Sequence, residues 1–328
     1  MIVTLTANPS LDRTVALPGP LLRGEVQRAV SVRQESGGKG VNVSRALVAS
    51  GLTTVAVLPG AEADPVLAGL RAGDVPFSAL PIGEPLRSNV ALTEPGGVTT
   101  KINEPGPALS AEQQEALIGL LLDRSRGASW VVLAGSLPPG VPADFYATVT
   151  RRLRTMDHGS EAPLIAVDSS GEPLAAAVAG GAEGTPDLIK PNAEELVELA
   201  AAAGFATHKS AEELEADPEA AAVAAAAVVR SGVGAVLATL GSKGAVLVTA
   251  DGAWLATHPP VTAVSTVGAG DSSLAGYLLA SSQGAAPADC LRQAVAHGAA
   301  AASLPGSTVP AVHQTTPDAV TITALKKD

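Results

Sequence analysis

Ser265-Thr266-Val267-Gly268-Ala269-Gly270-Asp271-Ser272-Ser273 leads into an apolar stretch that reads as a helix. Two glycines at a helix start let backbone N–H groups approach an anion closely, and the helix dipole favours negative charge there. An acid in that first turn stays ionised. It can take a proton from a hydroxyl while neighbouring amides stabilise charge on a moving phosphoryl group. The same residues also satisfy a plain helix entry, Gly before the first turn and Asp within it, which needs no chemistry.

Three further segments carry chemistry of the same kind. Gly37-Gly38-Lys39-Gly40-Val41-Asn42-Val43-Ser44 is not a Walker A loop, because neither Ser nor Thr follows the lysine. It reads either as a turn presenting a cation and an amide to sugar oxygens or a phosphate, or as an ordinary loop with a solvated lysine. In Lys190-Pro191-Asn192-Ala193-Glu194-Glu195 a strand ends at proline, and Asn192 with Glu195 has capping-box spacing. The alternative sets Asn192 and Glu195 beside a Mg²⁺ and its waters near nucleotide phosphates. Thr239-Leu240-Gly241-Ser242-Lys243-Gly244 reads as a hairpin turn, or as a cradle in which Ser242 and glycine amides hold phosphates.

The elements between these segments alternate. Strands are predicted at Ile2–Ala7, Thr53–Leu58, Trp130–Ala134, Leu164–Asp168, Leu188–Lys190, Ala235–Thr239 and Ala245–Val248. Helices are predicted at Val41–Ser50, 110–126, 142–154, 193–202, 218–231, 269–283 and 288–303. Such alternation implies parallel βαβ crossovers and a sheet covered on both faces, with ligands at the carboxyl ends of its strands. Residues 10–35 read as short polar strands, and 86–94 with 98–103 as a hairpin around Glu94-Pro95-Gly96-Gly97. Together they predict a small sheet set apart from the main one. Segment 204–220 is polar and acidic and reads as a surface insertion, and Lys326-Lys327-Asp328 as a frayed tail.

Bulk properties exclude several function classes. With 328 residues and 46% apolar content the chain can bury a large core, and with 2% aromatics that core must be Ala, Val and Leu. Aromatics are too few for a base-stacking platform, and a net charge of −11 argues against a nucleic-acid partner. A lone cysteine, Cys290, leaves no internal disulfide or thiolate cluster. His158, His208, His258, His297 and His313 lack metal-ligand spacing and read as structural or surface residues. No signal peptide or bilayer-spanning run is apparent, which makes the cytoplasm the default.

Taken in order, Gly-Gly-Lys-Gly, Asn-x-x-Glu, Thr-x-Gly-Ser-Lys-Gly and Gly-Ala-Gly-Asp resemble the ribokinase-like (PfkB) sugar kinases over essentially the whole chain. Asn8-Pro9-Ser10-Leu11-Asp12-Arg13-Thr14, Thr100-Lys101-Ile102-Asn103-Glu104-Pro105-Gly106-Pro107 and Gly135-Ser136-Leu137-Pro138-Pro139-Gly140 are similar to the 1-phosphofructokinase and tagatose-6-phosphate kinase branch. The chain departs from the wider family at Ser265, often Asp there, and at Ser273, often Phe or Met. The resemblance implies one kinase domain over 1–328, an α/β fold with a mainly parallel sheet between helices, and a β-sheet lid from about 10–35 and 86–103. It implies Asp271 as catalytic base, with Gly268, Ala269 and Gly270 as anion hole. Asp12, Gly38 and Asn42 would contact sugar hydroxyls, and Lys39 and Arg87 the substrate's phosphate. Lys190, Asn192, Thr239, Gly241, Ser242 and Gly244 would contact ATP, and Asp168, Asn192 and Glu195 would organise Mg²⁺ and its waters. The implied reaction is ATP-dependent phosphorylation of a ketohexose phosphate, fructose 1-phosphate first, with tagatose 6-phosphate or fructose 6-phosphate as alternatives. A catalytically silent sugar-phosphate sensor is the reading from another class. Exposed edges of the small sheet predict a homodimer.

Overall fold

A computed structural model describes residues 1–157, 162–181 and 183–326. His158, Lys327 and Asp328 lie outside them. In chain order the elements are β1 (Ile2–Leu5), β2 (Ser10–Ala16), β3 (Ser31–Gly37), α1 (Lys39–Ala49), β4 (Thr54–Pro59), α2 (Pro65–Ala72), β5 (Phe77–Leu80), β6 (Arg87–Thr93) and β7 (Thr99–Asn103). Then come α3 (Ala111–Arg124), β8 (Trp130–Ala134), α4 (Phe145–Thr155), β9 (Leu164–Asp168), α5 (Gly171–Val178), β10 (Leu188–Ile189), α6 (Ala193–Ala202), α7 (Ala211–Ala216) and α8 (Pro218–Arg230). The chain closes with β11 (Ala235–Thr239), β12 (Ala245–Thr249), β13 (Ala253–Thr257), α9 (Ala269–Ser282), α10 (Pro287–Ala302) and β14 (Thr321–Leu325).

The main sheet has ten strands in the order β14-β13-β12-β11-β10-β9-β8-β1-β4-β5. From β5 to β11 neighbours run parallel, and the β11–β14 edge is antiparallel. The period-2 alternation of side chains sends β8 to two cores. Val131 and Leu133 join the core beneath α3, α4, α5, α6 and α8, whereas Trp130, Val132 and Ala134 join that beneath α1, α9 and α10. Aromatics are few, and Trp130 meets Tyr277 edge-on at 6.3 Å between ring centroids. Small residues substitute for bulk elsewhere. A Cβ on Gly276 would lie 2.5 Å from the Gln293 carbonyl, so α9 and α10 pack backbone to backbone there. At Ser273 the hydroxyl donates to the Ala269 carbonyl (3.0 Å) and occupies the space where a Cβ on Gly298 would stand.

Because β1, β8, β9, β10 and β11 are parallel, their carboxyl ends share one side of the sheet. The small sheet, ordered β3-β2-β6-β7, grows out of that side directly after β1. β2 pairs with β3 antiparallel and with β6 parallel, in a register that sets Asp12 between Glu35 and Asn89. Asp12, Thr14, Arg33, Asn89 and Lys101 alternate onto its inner face and line a cleft of about 630 Å³, closed below by Val264–Val267 and Pro305–Ser307.

Two predicted boundaries change. The Gly-Gly-Lys-Gly segment is not a loop ahead of a helix: Gly37 ends β3, and Lys39 and Gly40 form the first turn of α1. Segment 204–220, predicted as a surface insertion, holds the short helix α7, started by a Ser210–Glu213 capping box, and its Leu214 is buried in the core rather than at the surface. No helix among the described residues is long and apolar enough to cross a membrane.

Candidate active site

Asp271 sits in the first turn of α9, behind Gly268, whose φ of 78° is the left-handed conformation that glycine adopts without a Cβ penalty. The side chain is buried. Asn42 Nδ2 donates to Asp271 Oδ2 at 2.8 Å. Burial, and then the nearby Asp168 carboxylate, push the Asp271 pKa up to about 6, against the pull of Lys39, the Asn42 hydrogen bond and Lys190. A carboxylate tuned to that range is ionised at neutral pH yet basic enough to accept a proton.

Asp168, at the carboxyl end of β9, is fully buried and meets two cations. Lys39 Nζ donates to Oδ1 at 2.6 Å and Lys190 Nζ lies 3.1 Å from Oδ2. Burial alone would raise the Asp168 pKa, but Lys190 and Lys39 outweigh it and hold the carboxyl below its ordinary value. Lys39 shows the converse. Burial works to lower its pKa, while Asp168, Glu195 and Asp271 together raise it, so the ammonium persists.

Lys190-Pro191-Asn192 follows the two-residue strand β10. Asn192 caps α6, its Oδ1 accepting from Glu195 N (2.8 Å), while Glu195 Oε2 accepts from Asn192 N (2.9 Å). The capping box is therefore real. Glu195 still keeps Oε1, 4.0 Å from Lys39 Nζ, turned toward the ionic cluster. A Cβ on Gly270 would lie 3.1 Å from Lys190 Nζ, so the turn before Asp271 touches the same cluster. Asn192 also bridges Thr239 at the end of β11. Gly241, Ser242 and Gly244 lie beyond Thr239 in an exposed turn between β11 and β12, joined to the cluster through that residue.

Across the cleft, Asp12 Oδ1 accepts from Ser10 Oγ (2.7 Å) and Asn89 Nδ2 (3.2 Å). Its pKa is raised by burial despite those bonds and the Arg87 charge. The Asp12 carboxylate packs where a Cβ on Gly37 would stand, beside Gly38, whose φ is 108°. Arg87 begins β6. Its guanidinium reaches Asn8 O (3.0 Å), Glu104 O (3.2 Å) and Ser136 Oγ (3.3 Å) rather than a carboxylate, and burial lowers its pKa. Arg87 Nε, Asn8 Oδ1 and Asn89 Oδ1 are buried without a hydrogen-bond partner. Buried polar atoms are nearly always satisfied, and of these three only Asn89 lines the cleft, where its free oxygen is available to a polar ligand, whereas Asn8 Oδ1 packs against Gly106.

Sequence reasoning assigned no role to Asn8, Ser10, Asn89 or Ser136, although Asn8, Ser10 and Ser136 lay inside the quoted motifs. For Asn89 the signal was periodicity: it is two residues beyond Arg87 on the same face of β6.

Residues 6–314 match the model of the pfkB family carbohydrate kinases. The chain is 33% identical over 309 residues to the ATP-dependent 6-phosphofructokinase isozyme 2 of Mycobacterium tuberculosis, covering 93% of this chain and 85% of that one. It is also 33% identical over 299 residues to the 1-phosphofructokinase of Rhodobacter capsulatus, covering 90% and 88%. Among solved structures, the phosphofructokinase-2 of Escherichia coli in complex with substrates and products superposes with a TM-score of 0.83 at 30% identity, over 95% of this chain and 96% of that one. The chain is a member of the pfkB family of carbohydrate kinases. Its fold is that of the ribokinase-like enzymes, a mainly parallel sheet between two helical layers with a small second sheet over one end.

Proposed function

We propose that this kinase transfers the γ-phosphoryl group of ATP to the free primary hydroxyl of a ketohexose monophosphate, with fructose 1-phosphate as first substrate. The observation that carries the reading is Asp271: a buried carboxylate poised near neutrality at the head of α9, whose partner Asn42 lies on α1 just after the Gly37–Gly38 turn on which Asp12 of the cleft wall packs. Asp12, Asn42 and the backbone at Gly38 bind sugar hydroxyls. Arg87 holds the phosphate already present, its guanidinium paired among the described residues with two carbonyls and a hydroxyl.

In the chemical step the substrate oxygen attacks the γ-phosphorus as the bond from that phosphorus to the β,γ-bridging oxygen breaks. Asp271 receives the hydroxyl proton, and ADP leaves. The transition state is loose, so positioning and charge stabilisation dominate. Backbone amides at Gly268 and Gly270 face the transferring oxygens, which the α9 dipole reinforces; the Ala269 amide, in the same turn, donates to Thr266 O (3.3 Å) and must be released to join them. Lys190, Asn192, Thr239, Gly241, Ser242 and Gly244 form the nucleotide side.

Among the described residues, no three His, Cys, Asp or Glu side chains converge as a metal cage. Mg²⁺ fits the site nonetheless, because it retains waters and takes most ligands from nucleotide phosphates. Glu195 Oε1, and Asn192 beside it, would hold those waters, and the ion would neutralise phosphate charge. Asp168, which the family resemblance set beside Mg²⁺, is taken up by Lys39 and Lys190 and acts by placing both lysines. Lys39, which the resemblance set on the sugar phosphate, is correspondingly drawn into this ionic cluster. The small sheet serves as a lid that keeps water from the γ-phosphate. A homodimer through its exposed strands completes the proposal.

A coupled ADP-release assay with each sugar phosphate tests the reading. Fructose 1-phosphate should give the highest kcat/KM, and no ADP release with any ketohexose phosphate overturns kinase activity in favour of a sensor. Fructose 6-phosphate is the second reading, favoured by the equal identity to the mycobacterial 6-phosphofructokinase. Tagatose 6-phosphate is the third.

A further inference from the structure

Arg45 is absent from the chemistry above, yet it lies three residues beyond Asn42 on the same side of α1 and is largely buried. Its Nη1 is shared among Ser36 O (3.1 Å), Asn42 Oδ1 (3.2 Å) and Ser307 O (3.3 Å). Its Nη2 meets Glu35 Oε1 at 3.2 Å. Glu35, from β3 of the small sheet, also accepts at Oε2 from Ser307 Oγ (2.9 Å) and Ser307 N (3.2 Å). Ser307 in turn backs the turn before α9, its Cα 4.0 Å from where a Cβ on Gly268 would stand.

An asparagine amide has two ends of similar shape and opposite hydrogen-bonding sense. A guanidinium only donates, so the end of Asn42 that meets Arg45 must be its oxygen, and the end that meets Asp271 must be its NH₂. Asp271 can then only accept from Asn42, which favours the ionised carboxylate, the stronger acceptor, over the acid, whose O–H finds no acceptor on Asn42. Were the amide free to turn over, its oxygen could accept from a protonated Asp271, and the two states of the base would be served alike.

We propose that Arg45 is a positioning residue that locks the Asn42 amide with its NH₂ toward Asp271, so that the base is held in its proton-accepting form. The same guanidinium joins three elements that bound the cleft: β3 through Glu35, α1 through Asn42, and the Pro305–Ser307 loop beneath Gly268. The proposal rests on the reading of Asp271 as the base.

The other charged groups bearing on Asp271 come from every side of it. They are Asp168 from β9, Lys39 from α1 and Lys190 after β10. Burial pushes His297 of α10 down to about 4, so it is neutral in the working range, and it packs on Gly276 further along α9. Arg45 pairs with Glu35 and acts on Asp271 through Asn42, but it also lowers the Asp12 pKa. The ¹³C carboxyl titration of Asp271 in each variant therefore shows which of the two acids moves the limb.

The test compares pH profiles of kcat/KM for wild type, Arg45→Met and Arg45→Lys, with Asp271→Asn alongside and the fold of each checked by circular dichroism. Ionisation of the sugar phosphate is common to all, so differences belong to the protein. Arg45→Met should move the acidic limb up by roughly one pH unit, and Arg45→Lys, which still donates, by less. Activity of Arg45→Met should recover at high pH. A uniform loss at every pH with the limb in place would overturn the proposal and leave Arg45 a packing residue. If Arg45→Met does not fold, the Arg45→Lys profile and the ¹³C carboxyl titration of Asp271 in that variant decide, and an unmoved titration sinks the idea. Near-wild-type activity in Asp271→Asn would instead remove the base reading itself.

Discussion

The ammonium of Lys39 and the carboxylate of Asp168 meet at 2.6 Å although 129 residues separate them in sequence. The pair fastens the head of α1 to the end of β9. Asp168→Ala should leave Lys190 buried without its partner and destabilise the protein by roughly 3–5 kcal/mol, measured by urea unfolding at pH 7. The pH dependence has a definite sign. The folded Asp168 pKa is depressed, so its contribution is present above the unfolded carboxylate value of about 3.9 and fades as pH falls through the lower folded value. That contribution should persist from pH 8 to pH 5, but removing Asp168 also lowers the Asp271 pKa, so the wild-type advantage should be somewhat smaller at pH 8 than at pH 5.

Asp271→Asn should lower kcat by roughly 10²–10⁴-fold with little effect on either KM, the usual contribution of a general base. Stability should move the other way. The folded Asp271 pKa is raised to about 6, so its stabilising contribution is full below the unfolded value and lost as pH rises through 6. The asparagine variant should accordingly melt higher than wild type at pH 8, with the difference closing toward pH 4. Calorimetry across that range reads it, and equal melting temperatures at pH 8 would refute it.

Arg87→Ala should raise KM for the sugar phosphate and leave that for ATP nearly unchanged. Initial-rate titration of each substrate separates the two. A matched loss for both, or for neither, would take Arg87 out of the phosphate site.

Asn192→Ala and Glu195→Gln separate capping from nucleotide work. Loss of the cap should cost about 1 kcal/mol in Asn192→Ala. Glu195→Gln keeps an acceptor for the Asn192 amide, so its stability should change less while its Mg²⁺ requirement rises several-fold. The measurement is rate against free Mg²⁺ at fixed ATP, and an unchanged curve would assign Glu195 to capping alone.

Val26, Val30, Val32, Val98 and Ile102, in and beside the small sheet, are exposed. A homodimer through that sheet would cover them. Sedimentation at micromolar concentration should show a species of twice the monomer mass, and a single monomer peak would reject it.

Much of this architecture was legible in the residues. β8, β9, β11 and α6 fall where their apolar runs and flanking breakers put them, because buried parallel strands are continuous hydrophobic stretches. α2, β5, α5, β13 and β14 escaped notice. They are short, and β14 pairs only along an antiparallel edge whose half-exposed faces leave a weak hydrophobic signature. The motif residues lie together: Lys39, Asp168, Lys190, Glu195 and Asn192 meet through direct contacts, and the hydrogen-bonded pair Asn42–Asp271 feels the charges of Asp168, Lys39 and Lys190. How Lys39 would be engaged was not legible, since its Asp168 partner is adjacent only after β9 and α1 pack. Nor was the choice between capping and metal service at Asn192, where the sequence spacing is the same for both.

The placement of the two tryptophans has an optical consequence. Trp130 is buried beside Tyr277 in β8 and Trp254 lies in β13, while no described residue lining the cleft is aromatic. Intrinsic emission will therefore follow unfolding of the main sheet and stay dark to movement of the small one. A fluorophore introduced on β7 would start from almost no competing background, so closure over a bound sugar could be followed in real time.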